Sequence, residues 1–501
     1  GNRPGNRPGN RPGRRGVAVN RRAIPALIVV SVGFAALIAV GREQPTVAEP
    51  FFATPTGAWM PAVNDDTALT GSWFCPGVPV NGEDGVGGEV VVANRDDEQL
   101  IGRFTILTPD GVGASETLVV EPWSRTTIDV DAFVTAPFAS VVVEIDGGRG
   151  FVEQRSQHPA GDSVTPCADN TSDEWYFADG STVDGSIETL ILTNPYDDAA
   201  VVDLVFATEA GESTPAAFQG FTILPQSVEI IPIAELGNRD EPVIAVKVAA
   251  ERGRLVVGRA QHSLGGGRLG YGVTLAAPAL RDQWWFADGE AGEGITETFA
   301  IYNPTDDDVQ VDVVFLGIPI EAELDNITVD VPAHQVVVYD PAADEGSTLP
   351  PGRHAAVLST LAEPSVVVER ILTRPAGDSV ATSVVVGAPP RIDGYVASRW
   401  HLGIGPLVPA PAALVVYNVD NVDGTVTVEA VGPGGPSAVP SLTDLPIGAG
   451  QVITIDLVDP AVLDRELIVG SSNRIFVERL LPRGDGLAGT SGSWALPASG
   501  N

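Results

Sequence analysis

Two six-residue stretches decide the architecture: WYFADG at residues 175–180 and WWFADG at residues 284–289. A related opening, WFCPG, occupies residues 73–77, and a diverged one, WHLGIG, occupies residues 400–405. The four openings are separated by 102, 109 and 116 residues. Self-similarity at a nearly constant period indicates a chain built from repeated structural units.

Each opening is followed, 18 to 21 residues later, by an apolar run that ends in asparagine, at Asn94, Asn194, Asn303 and Asn418. An acidic turn comes next, and a late apolar run carries an arginine: FVEQR at 151–155, LVVGR at 255–259, VVVER at 366–370 and IFVER at 475–479. Short runs rich in Val, Ile, Leu and Thr, spaced about 8–12 residues apart in units of about 100 residues, predict Ig-like β-sandwiches. A propeller blade needs only about 40–50 residues, so these units are too long to be single blades.

The predicted fold class is therefore all-β, with four tandem Ig-like β-sandwich modules after one N-terminal transmembrane helix. The predicted boundaries are a disordered basic cytoplasmic arm at 1–22, a transmembrane helix or signal anchor at 23–40, a Pro-rich stalk at 41–72, and modules at 73–168, 169–280, 281–395 and 396–501. Four prolines between residues 41 and 72 favour an extended stalk.

The N-terminal region has the charge pattern of a membrane anchor. Residues 1–22 contain seven arginines and no acidic residue, and residues 23–40 (AIPALIVVSVGFAALIAV) are free of charge. Eighteen apolar residues are at the short end of what spans a bilayer. The arginine excess predicts that the arm stays in the cytoplasm and the rest lies outside the cytoplasmic membrane. A cleaved signal peptide is the alternative, because small residues near Val40 and Ala48 permit cleavage, and the protein is then secreted.

The remainder of the chain is strongly acidic. The whole sequence has 65 acidic and 29 basic residues, a net charge of −36, although the arm is basic. Such a surface repels DNA, RNA and anionic lipid headgroups, so we expect no nucleic-acid partner. An acidic surface also keeps a large exported protein soluble.

The opening W-(Y/W)-F-A-D-G, followed by a strand that ends in Asn194-Pro195 or Asn303-Pro304, resembles repeats in exported actinobacterial proteins. These form an uncharacterised family of large secreted or membrane-anchored proteins, known only as a domain of unknown function and often encoded near a glycosyltransferase. The resemblance covers roughly residues 23–499 and implies export without implying an activity. The first opening has Cys-Pro where the pattern has Ala-Asp, and the fourth lacks both the Asp and the Asn-Pro.

The sequence contains no recognisable catalytic or metal-binding motif. Its five histidines do not have the spacing of metal ligands, and it lacks a Gly-x-Ser-x-Gly elbow and a phosphate-binding loop. Acidic turns such as residues 306–308 offer oxygens that calcium accepts, but Asp is also an ordinary turn residue. The tripeptide Arg483-Gly484-Asp485 matches an adhesion motif by three letters only. We expect no enzyme activity, no cofactor and no metal.

The only two cysteines, Cys75 and Cys167, both lie in the first predicted module. Export exposes them to oxidising conditions, so they are predicted to form a disulfide.

Two glutamates are predicted to be buried. Strand alternation places Glu188 and Glu297 on the face of their apolar neighbours, and a buried carboxylate needs a partner. The predicted structural pairs are Glu188 with Arg259 and Glu297 with Arg370.

The middle ring of each central opening, Tyr176 or Trp285, points away from the core that the flanking Trp and Phe fill. Three roles stay open for these rings: packing against the neighbouring module, covering a loop of the same module, or stacking on a glycan.

These patterns favour a non-enzymatic, membrane-anchored extracellular protein that acts as a spacer or binding rod in the cell envelope. The alternative is a glycan-binding accessory factor in cell-wall polysaccharide assembly. A more distant alternative is an enzyme with a site between modules. The expected partners are cell-envelope proteins or wall glycans, and the membrane is contacted through residues 23–40.

Overall fold

The computed structural model describes residues 60–63, 69–236, 240–319, 324, 327–343, 349–361, 363–389, 397–409, 411–484 and 486–498. These residues form 36 strands and six short 3-10 helices, so this part of the chain is all-β, as predicted. The predicted cytoplasmic arm, the membrane segment at 23–40 and most of the stalk lie outside the described residues. None of the described helices has the length and apolar character needed to cross a membrane.

The strands fall into four consecutive groups, here called quarters. The first quarter comprises β1 (Thr70–Phe74), β2 (Val78–Val80), β3 (Gly87–Asn94), β4 (Leu100–Thr108), β5 (Gly111–Val120), β6 (Arg125–Asp129), β7 (Ala136–Asp146), β8 (Gly150–Gln157) and β9 (Ser163–Pro166). The second comprises β10 (Glu174–Phe177), β11 (Ile187–Asn194), β12 (Ala200–Thr208), β13 (Gly211–Ser213), β14 (Phe221–Ile223), β15 (Ser227–Pro232), β16 (Ala245–Arg252), β17 (Val256–Ser263) and β18 (Gly270–Leu275).

The third and fourth quarters repeat this series. The third comprises β19 (Gln283–Ala291), β20 (Thr296–Asn303), β21 (Val309–Leu316), β22 (Ile327–Val331), β23 (Gln335–Tyr339), β24 (Gly352–Thr360), β25 (Val367–Ala376) and β26 (Ser379–Val386). The fourth comprises β27 (Arg399–Leu402), β28 (Ala413–Asn418), β29 (Gly424–Gly432), β30 (Gly435–Ala438), β31 (Leu445–Ile447), β32 (Val452–Asp456), β33 (Leu467–Ser471), β34 (Ile475–Pro482), β35 (Thr490–Trp494) and β36 (Leu496–Pro497). The 3-10 helices are Val130–Ala132, Val183–Gly185, Ala216–Phe218, Ile233–Leu236, Pro440–Leu442 and Pro460–Val462.

Each quarter contains two sheets with recurring strand orders. The sheets β6-β3-β8-β9, β15-β11-β17-β18, β23-β20-β25-β26 and β32-β28-β34-β35 are called axial sheets. The peripheral sheets are β1-β7-β4-β5 with β2, β10-β16-β12-β13 with β14, β19-β24-β21-β22, and β30-β29-β33-β27-β36 with β31. All pairings within these sheets are antiparallel. Paired sheets are consistent with β-sandwiches, and the Ig-like assignment stays a prediction.

The core of a quarter lies between its two sheets. In the first quarter, Val90 and Val92 of β3 share one buried cluster with Phe104, Val141 and Val143 of the peripheral sheet. Strand alternation produces this arrangement, because every second side chain of a strand points to the same face. Strand β21 illustrates it: its odd-numbered residues, from Val309 to Phe315, are buried, whereas Gln310 and Val314 are exposed.

The last strands of the four axial sheets lie side by side around a common axis. Between β9 and β18, the Val273 amide donates to Ser163 Oγ at 3.0 Å, and between β26 and β35 the Gly492 amide donates to Ser383 Oγ at 3.0 Å. Just before β18, the carbonyl of Leu269 accepts from the amide of Thr382 in β26.

The fourth contact joins the end of the series to its beginning. Strand β35 packs against β9 of the first quarter. The hairpins that precede these two strands also meet, since the Asp162 amide donates to the carbonyl of Arg483 at 2.8 Å. The four quarters therefore form a closed ring within one compact unit that spans Thr56–Asn501. The rod expected from the sequence is wrong in this respect, because a periodic sequence satisfies each repeat equally well in an open or a closed array.

Candidate functional site

The tryptophan that starts each opening belongs to the core. Trp175, Trp284 and Trp400 are fully buried, and each indole N–H donates to a carbonyl at the start of the late axial strand, at 2.8–3.0 Å. This bond satisfies the one polar group of a large apolar side chain. The first letter of the repeated motif is therefore explained by packing inside a quarter.

The repeated Glu-Arg dipeptides connect neighbouring quarters. Arg259 of the second quarter forms a bidentate ion pair with Glu369 of the third, with Nη2–Oε1 at 2.8 Å and Nη1–Oε2 at 3.1 Å. Arg370 of the third quarter pairs with Glu478 of the fourth in the same way, with Nη2–Oε2 at 2.7 Å and Nη1–Oε1 at 3.1 Å. All four side chains are buried. Two parallel bonds to one carboxylate give such a pair a defined geometry as well as charge neutralisation.

A third pair closes the ring. Arg479 of the fourth quarter binds Glu153 of the first, with Nη2–Oε1 at 2.7 Å and Nη1–Oε2 at 2.9 Å. Both side chains are completely buried. Removing two charges from water is costly unless they pair closely, so this contact requires the first and fourth quarters to meet in one register.

The Ala-Asp step of the opening completes the binding of these carboxylates. The amides of Ala178 and Asp179 donate to Glu369 Oε2 at 2.8 and 2.7 Å. The amides of Ala287 and Asp288 bind Glu478 Oε1 in the equivalent place, at 2.7 and 3.1 Å. In each case the glutamate of one quarter is held by the opening and the arginine of the preceding quarter. The motif is thus a junction between quarters.

The junction between the first and second quarters is neutral. Strand register places Gln154 where the other quarters have Arg259, Arg370 and Arg479. Gly258 takes the place of the glutamate, and a Cβ there would lie 2.2 Å from the carbonyl oxygen of Pro76.

Gln154 instead bonds the opening of its own quarter. Its Oε1 accepts from the Gly77 amide at 3.2 Å, and its Nε2 donates to the Gly77 carbonyl at 2.7 Å. The bridges of Phe74 and Tyr176 align Pro76-Gly77, and not Cys75-Pro76, with the Ala-Asp step of the second opening. Pro76 has no N–H to satisfy, which fits the absence of a carboxylate at this junction. The first junction therefore differs from the others at three positions, Gln154, Gly258 and Pro76. The nearby cysteines form the predicted disulfide, Cys75–Cys167, with a Cα–Cα distance of 4.2 Å.

The predicted Glu188–Arg259 and Glu297–Arg370 pairs are not the pairs that form. Both guanidinium groups bind carboxylates of the following quarter, Glu369 and Glu478. Glu297 lies against His354 instead, with its Oε2 2.8 Å from Nε2. The alternation argument identified the buried faces correctly, but it considered partners only within one module.

Glu188 is buried without a hydrogen bond to either oxygen in the described part of the chain. Its carboxyl group fills the space above Gly180, where an added Cβ would lie 2.4 Å from Oε1. Burial raises the pKa of Glu188 to about 8, although Arg259 opposes the shift. A carboxyl group in this setting is protonated at neutral pH, so no counter-charge is needed.

The two aromatic rings singled out by the sequence lie at junctions. Trp285 stacks on Tyr417 and Phe476 of the fourth quarter, with ring centroids 6.0 and 5.4 Å away. Tyr176 is buried in one apolar cluster with Tyr302 of the third quarter, and burial raises the pKa of its phenol. These positions leave little free ring surface for a glycan.

The strand-ending asparagines are turn supports. Nδ2 of Asn94, Asn194, Asn303 and Asn418 donates to the carbonyl four residues later, at 2.8–2.9 Å. Each Oδ1 accepts from the amide two residues later, at 3.0–3.1 Å. An asparagine that bonds its own turn in this way stabilises the turn locally. Within the described ranges, the acidic side chains that follow are not part of any group of three or more His, Cys, Asp or Glu that could hold a metal.

Two histidines meet where the first quarter contacts the second. The rings of His158 and His262 have centroids 4.8 Å apart, and Tyr271 stacks on His158 at 4.1 Å. Burial, with a contribution from His262, lowers the pKa of His158 to about 4. Both imidazole rings are therefore neutral at pH 7, and they contact each other and Tyr271 as uncharged aromatic rings.

The Glu-Arg dipeptides are a signal of these junctions that is already visible in the sequence. In Glu369-Arg370 and Glu478-Arg479 the two charges are adjacent in a strand and point to opposite faces, so they cannot pair with each other. Both lie in apolar surroundings, so each must find a partner on another element. That reasoning identifies Glu369, Arg370, Glu478 and Arg479 as junction residues.

Comparison with known proteins gives limited similarity. A family described as "Family of unknown function (DUF5719)" matches residues 152–280. No curated protein matches the sequence. Among solved structures, Thermotoga maritima 1070 is 14% identical over 21% of this chain and 92% of its own, with a TM-score of 0.18. A tetra-tandem repeat in the extending region of a large adhesion protein is 12% identical over 81% of this chain and 93% of its own, with a TM-score of 0.10.

Proposed function

We propose that this chain is a non-enzymatic structural protein of the cell envelope, anchored in the cytoplasmic membrane through residues 23–40 and carrying its ring outside. The ring replaces the rod in the role of spacer or binding platform for envelope partners. The observation that carries this proposal is that the repeated motif residues form contacts within the cores and across the junctions of the ring. The Trp, Ala-Asp and Glu-Arg positions hold the core and the junctions, so the recurring residues build a rigid body.

Two features support an extracellular location. The Cys75–Cys167 disulfide is of the kind that persists in oxidising compartments. The acidic excess outside the basic arm suits a soluble surface and is incompatible with binding nucleic acid.

The experiment is protease treatment of intact cells that express the chain with an epitope at each end. The proposal predicts that the C-terminal epitope disappears while the N-terminal one stays protected. A cytoplasmic marker protein in the same cells controls for lysis. Protection of both epitopes in unlysed cells, or appearance of the whole ring in the medium, contradicts the anchored topology.

The glycan-binding alternative relied on Tyr176 and Trp285. The Tyr176→Ala, Trp285→Ala double variant separates the two functions when its retention on fractionated wall polymers is compared with the parent. The scaffold function predicts unchanged retention and a loss of rigidity between quarters. Loss of glycan retention with unchanged rigidity favours the alternative.

A further inference from the structure

The junction between the fourth and first quarters differs from the other three in its connection. A chain segment leads from each of the first three quarters into the next one. The fourth and first quarters are the last and the first in the sequence, so their contacts, such as the Arg479–Glu153 pair, are non-covalent. Joining two parts that no short segment links costs more conformational entropy than joining parts that a linker already holds close. The ring is therefore expected to open first at this junction.

A short segment that precedes β1, residues 60–63, lies at this junction and is here called the strap. It belongs to the part of the sequence predicted to be a stalk. Apart from one isolated bridge at Val63, the strap is irregular, yet all four of its residues are buried. An irregular segment that buries every side chain is held by the body against which it packs.

The backbone of the strap is attached to the end of the fourth quarter. The amide of Val63 donates to the carbonyl of Pro497 in β36 at 2.9 Å. Val63 also forms a parallel bridge with Ala498, the residue that follows β36. The strap therefore extends the peripheral sheet of the fourth quarter beyond its last strand.

The same four residues are held on the side of the first quarter. The side chain of Val63 belongs to the buried cluster of the first quarter, with Trp73 and Cys167, and this cluster also includes Leu496 of the fourth quarter. The amide of Ala62 donates to Asp169 Oδ2, just after the first quarter, at 3.1 Å. The strap thus binds both sides of the one junction that no chain segment spans.

The strap also covers apolar surface on the axis of the ring. A cavity of about 80 Å³ lies between the last strands of the four axial sheets, and Met60 and Pro61 form part of its wall. Val164, Val386 and Trp494, from the first, third and fourth quarters, line the same cavity. Detachment of the strap would expose these side chains to water, which is unfavourable for apolar groups.

We propose that the strap is a conformational lock for the ring. Attached, it covers the axial cavity and holds the fourth quarter against the first. Detached, it leaves that junction free to open while the three junctions spanned by the chain stay closed. Because the strap precedes every strand of the ring, a pull on the chain before residue 60 acts on the strap first. The lock operates whether or not residues 23–40 anchor the chain in a membrane.

Hydrogen exchange of the full chain, read by mass spectrometry, tests the lock in the variant Met60→Ser, Val63→Ser. The reporting amides are those of Asp162, which donates to the carbonyl of Arg483, and Ile404, which donates to Glu153 Oε2. Both bonds cross the junction between the fourth and first quarters. Exchange in peptides containing these amides is expected to accelerate by about tenfold or more, because several buried methylene groups are lost from the strap.

The other junctions supply the reference within the same molecule. The amides of Ala178 and Asp179 bind Glu369, and those of Ala287 and Asp288 bind Glu478, so their exchange should stay at the parent rate. The matched control is Leu69→Ser, which removes an apolar side chain that is 87% exposed in the same part of the chain and should leave all these rates unchanged.

Two outcomes overturn the proposal. Unchanged exchange at Asp162 and Ile404 would show that the strap does not hold the junction. Equal acceleration at all junctions would show that its loss destabilises the ring as a whole. A milder variant, Val63→Pro, removes only the amide that donates to Pro497 and decides the question if the double variant fails to fold. It should accelerate exchange at the same two amides by a smaller factor, and parent rates there would also refute the lock.

Discussion

Replacing Arg259 by glutamine removes one half of a buried ion pair between the second and third quarters. Glu369 keeps the amides of Ala178 and Asp179 but loses two guanidinium bonds, at 2.8 and 3.1 Å. Removing one partner of a buried pair costs about 3–5 kcal/mol, because the other charge stays buried and uncompensated. We expect the free energy of unfolding of Arg259→Gln to fall by about that amount.

Urea denaturation followed by tryptophan fluorescence measures this loss, since urea leaves ion pairs unscreened. The control is Arg399→Gln, which breaks an exposed pair with Glu429 at 3.2 Å. Exposed pairs contribute about 0–1 kcal/mol, so the control should change little. If Arg259→Gln costs no more than Arg399→Gln, the buried pairs do not hold the junctions as described.

A rescue variant makes the same test sharper. Arg259→Gln, Glu369→Gly and Ala178→Pro together copy the neutral junction formed by Gln154, Gly258 and Pro76. Neutralising both partners removes the uncompensated charge, so the triple variant should be more stable than Arg259→Gln alone. A triple variant that is less stable than the single variant contradicts the equivalence of the junctions.

Four further predictions concern single groups. The pKa of Glu188 is raised from 4.5 to about 8, so the folded state retains a proton that the unfolded state releases, and stability falls with rising pH in this window. Glu188→Gln should abolish that fall in urea midpoints measured between about pH 5 and pH 8. The pKa of His158 is lowered from 6.5 to about 4, so stability rises with pH in that window, and His158→Gln should flatten the rise. Replacing Cys75 and Cys167 by serine should lower the free energy of unfolding by up to about 4–5 kcal/mol, because the disulfide joins residues with a sequence separation of 92. An unfolding midpoint equal to that of the parent would contradict this. Trp285→Ala should increase hydrogen exchange in strands β28 and β34, because each lost aromatic contact is worth about 0.5–1.5 kcal/mol, whereas unchanged exchange would remove this ring from the junction.

The sequence was sufficient for the all-β class and the disulfide because both follow from local patterns. Alternation within short runs predicts strands, and two cysteines in a chain that we expect to be exported predict one bridge. The same alternation indicated that Glu188 and Glu297 are buried.

The partners across the junctions were beyond this reasoning. Glu369 lies 110 residues from Arg259, and Glu153 lies 326 residues from Arg479. Those contacts depend on how whole quarters are placed, and the strand pattern within a quarter carries no information about that placement. A unit of about 100 residues is too long for a propeller blade made of one sheet, as argued from the sequence. Two-sheet units arranged around an axis were not considered there.

Closure of the ring is the central claim, and small-angle X-ray scattering from residues 56–501 tests it most directly. A compact chain of this length has a radius of gyration of about 22 Å, and a ring should lie near that value. The predicted curve is that of a compact particle, because the Arg479–Glu153 pair joins the fourth quarter to the first. A scattering curve of an elongated particle, with a radius of gyration far above this value, would show that the first and fourth quarters are apart and would contradict the closed ring.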